Sequence, residues 1–360
     1  MPEDSFSAIF AGATTNTDNV LSSDGSTMTS SSSRGAVFYL QYAVIVIGIV
    51  GAVANALILY AMVASKEHKK QLLIFNQNLF DLCSCLLLIV VYTVKFSNIY
   101  LTGTLGYWLC MIIFSDSCLW VSISGSTINL MSITIERYIK VVHPGWSKKL
   151  LHKWVKYTAA AFAWVASFAY NMALVFSTST VIDGACYGYW IWKSRTAALI
   201  HVVWNFASFY VVVIFMFVFC YAKILIVIRH QARVMASHSG PGSSTCQQTQ
   251  SNQIQSNVIK TMILVSAFYV ISWSPNYIIY IAISINADLV IDDIAYYVGM
   301  FLTFFYIGAN PFIYAFNFSP VRRVLVGLVC WNKSVQAGNS VDTPVAPAGT
   351  AASHTTNQHK

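Results

Sequence analysis

Charge is what this chain has least of: Asp, Glu, Lys and Arg together make up 9% of its 360 residues, against about 25% in soluble domains. A chain that is 56% hydrophobic and so poor in charge reads as an integral membrane protein. Cysteine is sparse as well. The eight present are scattered, mostly inside apolar runs, which excludes a disulfide-dense scaffold. Catalytic signatures are missing: there is no His-Glu-x-x-His metal spacing, no nucleophile elbow and no phosphate-binding glycine loop. No enzyme is expected. Residues 1–35 lack a basic start followed by an apolar core and contain no Asn-x-Ser/Thr acceptor. Neither a secretory signal peptide nor N-glycosylation is expected there. Rich in Ser and Thr, with Glu3, Asp4, Asp18 and Asp24, residues 1–36 read as a disordered extracellular tail.

Long apolar runs are abundant instead. Seven occur, at 37–64, 71–95, 107–140, 154–178, 197–228, 257–285 and 294–317. Each is long enough for the ~20 helical residues that cross a ~30 Å hydrocarbon core, and too long for barrel strands. The fold class expected is all-α, a seven-transmembrane helix bundle within residues 37–330. If the N-terminus is outside, all of the 21 Lys and Arg residues except Arg34, Lys95, Lys193 and Arg195 fall on the inner side. The positive-inside rule then sets an extracellular N-terminus and a cytoplasmic C-terminus. The net charge of +8 is thereby a topology signal and implies no nucleic-acid partner.

Two cytoplasmic stretches stand out. Residues 230–255, rich in Ser, Gln and Gly, read as a flexible loop. After the seventh run, Val321, Val324, Leu325 and Leu328 share one helical face around Arg322 and Arg323. This is a short amphipathic eighth helix at the inner membrane face, in contact with membrane lipids. Cys330 at its end is a palmitoylation candidate, and 331–360 read as a disordered cytoplasmic tail.

Polar residues inside the apolar runs are the candidate functional positions. A charge in hydrocarbon costs roughly 2.5–3.5 kcal/mol on insertion scales, so an intramembrane acid needs partners. Asp81 sits in Asn76-Gln-Asn78-Leu-Phe-Asp81, a polar stripe at helical spacing. The third run carries Asp116, Ser122, Ser124, Ser126 and Asn129, as a central helix would, and ends in Glu136-Arg137-Tyr138. Taken alone, that acid and arginine are two charges snorkelling at a helix end. Asp81 alone is a hydrogen-bonding hub with Asn55. The sixth and seventh runs contain Trp273-Ser-Pro275 and Asn310-Pro311-x-x-Tyr314, and proline kinks a helix by removing a backbone bond.

Taken in order, Asn55, Asp81, Glu136-Arg137-Tyr138, Trp164, Trp273-x-Pro275 and Asn310-Pro311-x-x-Tyr314 resemble the rhodopsin-like family of G-protein-coupled receptors, over about residues 37–330. The resemblance implies a receptor that binds an extracellular ligand and activates a heterotrimeric G protein by outward movement of the kinked sixth helix. Arrestin and receptor kinases join the implied partners. Arg137 resembles the arginine held by Glu136 at rest, with Tyr221 and Tyr314 as the tyrosines that rearrange with it. Trp273 resembles the pocket floor. Asp81, Ser126 and Asn310 resemble the family's allosteric sodium site, and Cys110 and Cys186 its disulfide. Departures are visible too. Val213 stands where the fifth helix usually has proline, Tyr269 where phenylalanine is common, and Tyr306 where a polar residue is common near the sodium site. Cys110 and Arg137 are farther apart than the family's usual spacing.

Opsins need a seventh-helix lysine, but Phe304 holds that position and no lysine occurs from Thr261 to Val321, so retinal is excluded. By helix phase and resemblance the pocket lining is Asp116, Trp120, Ile123, Asn205, Trp273, Asn276, Tyr277, Tyr280 and Met300. Asp116 is either the counter-ion of a cationic ligand or a solvated acid at the pocket mouth. The aromatic residues are either ligand contacts or membrane-core packing. A peptide or a small cationic molecule is the expected ligand. The alternative from another class is a seven-helix ion channel or pump that uses Asp81, Asp116 and Glu136.

Overall fold

The computed structural model describes residues 27–95, 99–189, 191–238, 246–285, 293–317 and 321–327. Seven long helices carry the fold: α1 (Thr27–Ala64), α2 (Leu72–Lys95), α3 (Gly103–Val142), α4 (Lys153–Thr178), α5 (195–238), α6 (Cys246–Ile285) and α7 (Asp293–Asn317). Among the described residues, α1 to α6 are each long and apolar enough to cross a membrane. Helix α7 has 25 residues, and Tyr296, Tyr297, Asn310 and Pro311 dilute its apolar run. It packs between α1 and α6 and closes the ring.

Burial ranks the helices. Of the most apolar stretches, 56% of α2 and α3 is buried, against 28% of α1, α4 and α5. The two helices with the most polar positions are therefore the central ones, as the polar stripes require. With no water to drive helices together in a bilayer, close packing and side-chain hydrogen bonds hold them. Gly51 shows the first. A Cβ there would stand 2.6 Å from Cys85 Sγ and 2.9 Å from the Gly308 Cα, so α1, α2 and α7 meet only because no side chain intervenes. The apolar core includes Met62, Leu130, Ile133, Ile224 and Met262, all fully buried.

Helix α3 is not continuous. An α-helical turn (Gly103–Leu109) leads into a π-helical turn (Cys110–Phe114). Asp116, in the left-handed region at φ 59°, then precedes the main segment Ser117–Val142. Asp tolerates that conformation better than most residues. The widened turn and the break take up extra residues, which accounts for the long spacing from Cys110 to Arg137. Helix α5 carries a second π turn, Ala207–Val211, between Arg195–Phe206 and Val212–His238.

A two-stranded hairpin adds to the expected all-α fold. Strand β1 (Thr180–Ile182) pairs antiparallel with β2 (Ala185–Tyr187). Asp183 and Gly184 both have positive φ, the pattern of a two-residue primed turn. The Cys110–Cys186 disulfide ties the hairpin to α3.

Two expectations shift. Helix α1 starts at Thr27 rather than 37, so ten residues expected in the tail are helical. Helices α5 and α6 extend to His238 and from Cys246, through most of the stretch read as a flexible loop. The Ser- and Gln-rich composition misled there, because glutamine is a good helix former and an established helix propagates readily. Beyond α7, residues 321–327 are helical, with Val321 buried and Arg322 and Arg323 exposed. Residues 1–26, Trp190, Leu328, Cys330 and the tail to 360 lie outside the described residues.

Candidate functional site

A cavity of about 250 Å³ opens between α2, α3, α5, α6 and α7 beneath the hairpin. The nine positions proposed as pocket lining all border it. Asp116, Trp120 and Ile123 come from α3, Asn205 from α5, Trp273, Asn276, Tyr277 and Tyr280 from α6, and Met300 from α7. Trp120 and Trp273 sit with ring centroids 6.5 Å apart, and Tyr277 lies 5.7 Å from Trp273. The hairpin's exit segment supplies Gly188, Tyr189 and Trp192 to the same cavity.

Sequence reasoning missed Lys95. The last residue of α2, it places its Nζ 2.8 Å from Asp116 Oδ2, with the two side chains 28% and 21% exposed. Asp116 therefore has a cation beside it within the protein, which neither reading offered for it, ligand counter-ion or solvated acid, had included. Lys95 was legible only as an outer-loop cation, because its partner is 21 residues away on another helix. His201 was also missed; it meets the Tyr170 hydroxyl at 3.1 Å and the Trp192 ring at 5.1 Å.

A second polar cluster occupies the middle of the bundle. Asp81 is fully buried. Ser126 Oγ donates to its Oδ1 at 3.0 Å, and Asn310 Nδ2 donates to its Oδ2 at 3.0 Å. Gln77, one turn earlier on α2, was not singled out from the sequence. Its Nε2 donates to Ser126 Oγ and, at 3.5 Å, to Asp81 Oδ1, while its Oε1 accepts from Asn129 at 2.8 Å. Asn129 accepts in turn from Asn76, whose Oδ1 takes the Trp164 indole N–H at 3.0 Å. The Trp164 ring stacks on Phe80 at 3.8 Å. Asn55 bonds Gly51 O and lies 4.0 Å from Cys85 Sγ, so it shares the α1–α2 contact without bonding Asp81 directly.

At the far end of α3, Glu136 is 5% exposed in its side chain and accepts from Lys140 at 2.7 Å and Lys156 at 2.9 Å. Arg137 lies 3.9 Å from it and hydrogen-bonds Gln71 at the start of α2. The acid thus faces Arg137, as the resemblance implied, and shares its carboxylate with two closer lysines. The i,i+4 spacing of Lys140 was readable; the α4 residue Lys156 was not. Tyr138 packs on Phe219 of α5, with its hydroxyl 3.4 Å from His143. Tyr221 sits between helices, its hydroxyl 3.1 Å from Thr134 of α3 and 3.2 Å from Ser266 of α6.

The family described as 7 transmembrane receptor (rhodopsin family) matches residues 54–314, most of the chain. The chain belongs to this receptor family. Similar curated proteins include sphingosine 1-phosphate receptor 1 of Danio rerio, 24% identical over 303 residues, which covers 82% of this chain and 79% of the relative. Galanin receptor type 1 of Rattus norvegicus is 25% identical over 318 residues, covering 82% and 85%. Neuropeptide FF receptor 1 of Rattus norvegicus is 23% identical over 235 residues, covering 59% and 53%. Family membership makes the chain a multi-pass membrane receptor with an extracellular ligand and a G protein as partners.

The receptor reading displaces the channel or pump. The three acids assigned to an ion path have separate partners, Lys95 for Asp116, amide and hydroxyl donors for Asp81, and lysines for Glu136. Pro275 and Pro311 both lie inside their helices. The Tyr314 side chain lies outside the described residues, so its expected role has no geometry here. The donor set around Asp81 fits a hard monovalent cation: one carboxylate, a hydroxyl, and the buried Asn310 Oδ1, which has no hydrogen-bond partner.

Proposed function

We propose that this receptor sits in the plasma membrane with its N-terminus outside, takes its ligand in the cavity under the hairpin, and activates a heterotrimeric G protein at the Arg137 end. The observation that carries this reading is a continuous packing path. The cavity floor Trp273 meets Tyr269 at 5.6 Å, Tyr269 meets Phe217 at 6.0 Å, and Phe217 meets Tyr221 at 6.1 Å. Tyr221 bonds Thr134, one turn before Arg137.

A ligand shifts such a receptor only by binding one packing better than the other. Contacts to Trp120, Trp273 and Tyr277 reach α3 and α6 together, so the ligand biases how these two helices pack. Helix α6 has Pro275 inside it and so lacks one backbone bond there, which favours a bend at that point. A small rotation above the kink becomes an outward displacement at its other end, and Arg137 then leaves Gln71 to meet the G protein. Asp81, Ser126 and Asn310 would hold a sodium ion in the resting packing. Bound there, the ion supplies a positive charge to the buried carboxylate. Arrestin and receptor kinases would engage the same cytoplasmic end, and 321–330 would lie along the inner leaflet with Cys330 lipidated. Peptides and small molecules both remain within this reading.

The test is a cell-based G-protein dissociation assay across several Gα classes without added ligand, comparing the wild-type chain with Arg137→Ala at matched surface expression. Basal coupling that disappears in the variant supports the reading. Coupling that survives Arg137→Ala, or silence across pooled ligand screens together with a measurable current, overturns it.

A further inference from the structure

The cavity contains two full charges, and they cancel. Lys95 and Asp116 form an ion pair at 2.8 Å, and among the described residues no other Lys, Arg, Asp or Glu lines the cavity. A ligand with one net charge would leave that charge uncompensated in a space walled by aromatic rings, and an unpaired charge is strongly disfavoured away from water. The pair is not saturated, however. Asp116 Oδ2 faces Lys95, but Asp116 Oδ1 is buried and has no hydrogen-bond partner within the protein. The Lys95 ammonium has three N–H groups, of which one points at Asp116. The pair therefore offers an empty acceptor beside a cation with donors to spare.

Three more buried polar atoms without protein partners border the same cavity: the Tyr189 hydroxyl, His201 Nδ1 and Trp273 Nε1. Buried polar groups are nearly always hydrogen-bonded, and leaving one unmet is costly. Four around one cavity mark a site made for a polar guest. Its volume of about 250 Å³ is at the small end for ligand pockets, so the guest is small.

We propose that the ligand is a zwitterion of zero net charge, of the class of free aromatic amino acids. Its ammonium group meets Asp116 Oδ1 and its carboxylate meets the free donors of Lys95. The two ion pairs lie side by side, and the Lys95–Asp116 contact stays intact. The ring enters between Trp120, Trp273 and Tyr277, where the indole N–H of Trp273 can donate to a polar ring substituent. This rests on the receptor reading for its consequence but not for the binding itself.

The experiment is a thermal melt of the purified full chain in detergent, with three matched sets of probes at millimolar concentration. Each set has the zwitterion, the amine and the acid of one ring: phenylalanine, phenethylamine and 3-phenylpropionate, with the tyrosine and tryptophan sets alongside. At least one zwitterion is expected to raise the melting temperature by several degrees at a concentration at least tenfold below that needed by its amine or acid. Lys95→Met should reverse the order in favour of the amine, and Asp116→Asn in favour of the acid. If either variant fails to fold, the wild-type series alone decides. An amine or acid that stabilises as well as its zwitterion overturns the proposal, and so does stabilisation by no zwitterion. G-protein dissociation run with the same probes separates the two claims: a selective melt shift without coupling sinks the receptor mechanism and leaves the ligand class standing.

Discussion

Glu136 gives the sharpest quantitative prediction. Its carboxylate is nearly buried and accepts from Lys140 and Lys156 at 2.7 and 2.9 Å, while Arg137 stands off at 3.9 Å. Removing one partner from a fully buried pair costs about 3–5 kcal/mol, and from an exposed pair about 0–1 kcal/mol. Lys156 is 18% exposed and Lys140 remains when it is lost. Lys156→Met should therefore cost ~1–2 kcal/mol, which at roughly 2–4 °C per kcal/mol lowers the melting temperature by about 2–8 °C. Lys156→Arg should cost much less.

With both lysines changed to Met, the only cation left within 4 Å of Glu136 among the described residues is Arg137. Closing the gap from 3.9 Å to an ordinary pairing distance strengthens the attraction by roughly 1.5 kcal/mol at an effective dielectric near 20, about tenfold in a two-state ratio. Arg137 then leaves Gln71, the resting packing gains, and ligand-free G-protein dissociation should fall five- to tenfold at matched surface expression, by the same two-state arithmetic. A melting temperature unchanged in Lys156→Met would refute the stabilising pair assigned to Lys156 and Glu136. Basal coupling that rises in the double variant would refute the inference that the lysines keep Glu136 from Arg137.

Other predictions follow from single contacts. Gln77→Leu removes the amide that competes for Asp81 and Ser126; sodium at tenfold its dissociation constant should then stabilise the variant by ~1.4 kcal/mol, more than it does the wild type at the same concentration, read as a melt difference between sodium and potassium. Tyr269→Phe removes the hydroxyl that donates to Phe209 O at 2.5 Å and should cost about 1 kcal/mol in the same melt assay with no change of fold. Cys186→Ser opens a 76-residue loop closure and should cost about 2–4 kcal/mol, with surface expression and probe binding both reduced.

What was legible in the sequence was whatever depends on local pattern. Runs of 20 or more apolar residues indicate spanning helices because the bilayer leaves no other way to satisfy their backbone. Asp81, Ser126 and Asn310 could be grouped because the resemblance to the receptor family carries its sodium site onto them. The positions that line the cavity followed from helix phase together with the same resemblance. What was not legible depends on distances between segments, as with Lys95 and Asp116, or Lys156 and Glu136. Each of these lysines looks like an ordinary helix-end cation until the bundle closes. Gln77 was readable in principle. It stands between Asn76 and Asn78 in an apolar run, and a polar residue in mid-span needs a partner as much as an acid does.

Two departures from the family pattern answer each other. Val213 stands where the fifth helix usually carries proline, so α5 has no missing backbone donor at that point. It widens instead through the π turn Ala207–Val211, which shifts the hydrogen-bond ladder just before Val213. The Phe209 carbonyl lies in that turn, and the Tyr269 hydroxyl of α6 donates to it. Phenylalanine at 269 has no hydroxyl to reach it. Val213 itself is fully buried against the interior, so a proline ring is not needed to fill the space. The same tyrosine contacts Trp273 at 5.6 Å and Tyr306 at 5.5 Å, which places it between the cavity floor and α7. A bulge on α5 and a hydroxyl on α6 are therefore one device. Either change alone leaves a carbonyl less well met or a buried hydroxyl without its acceptor, and each buried polar group left so costs about 1–3 kcal/mol. The residues that look most like defects in the family pattern thus add to the coupling of α5 to α6 that Tyr221 and Ser266 also provide.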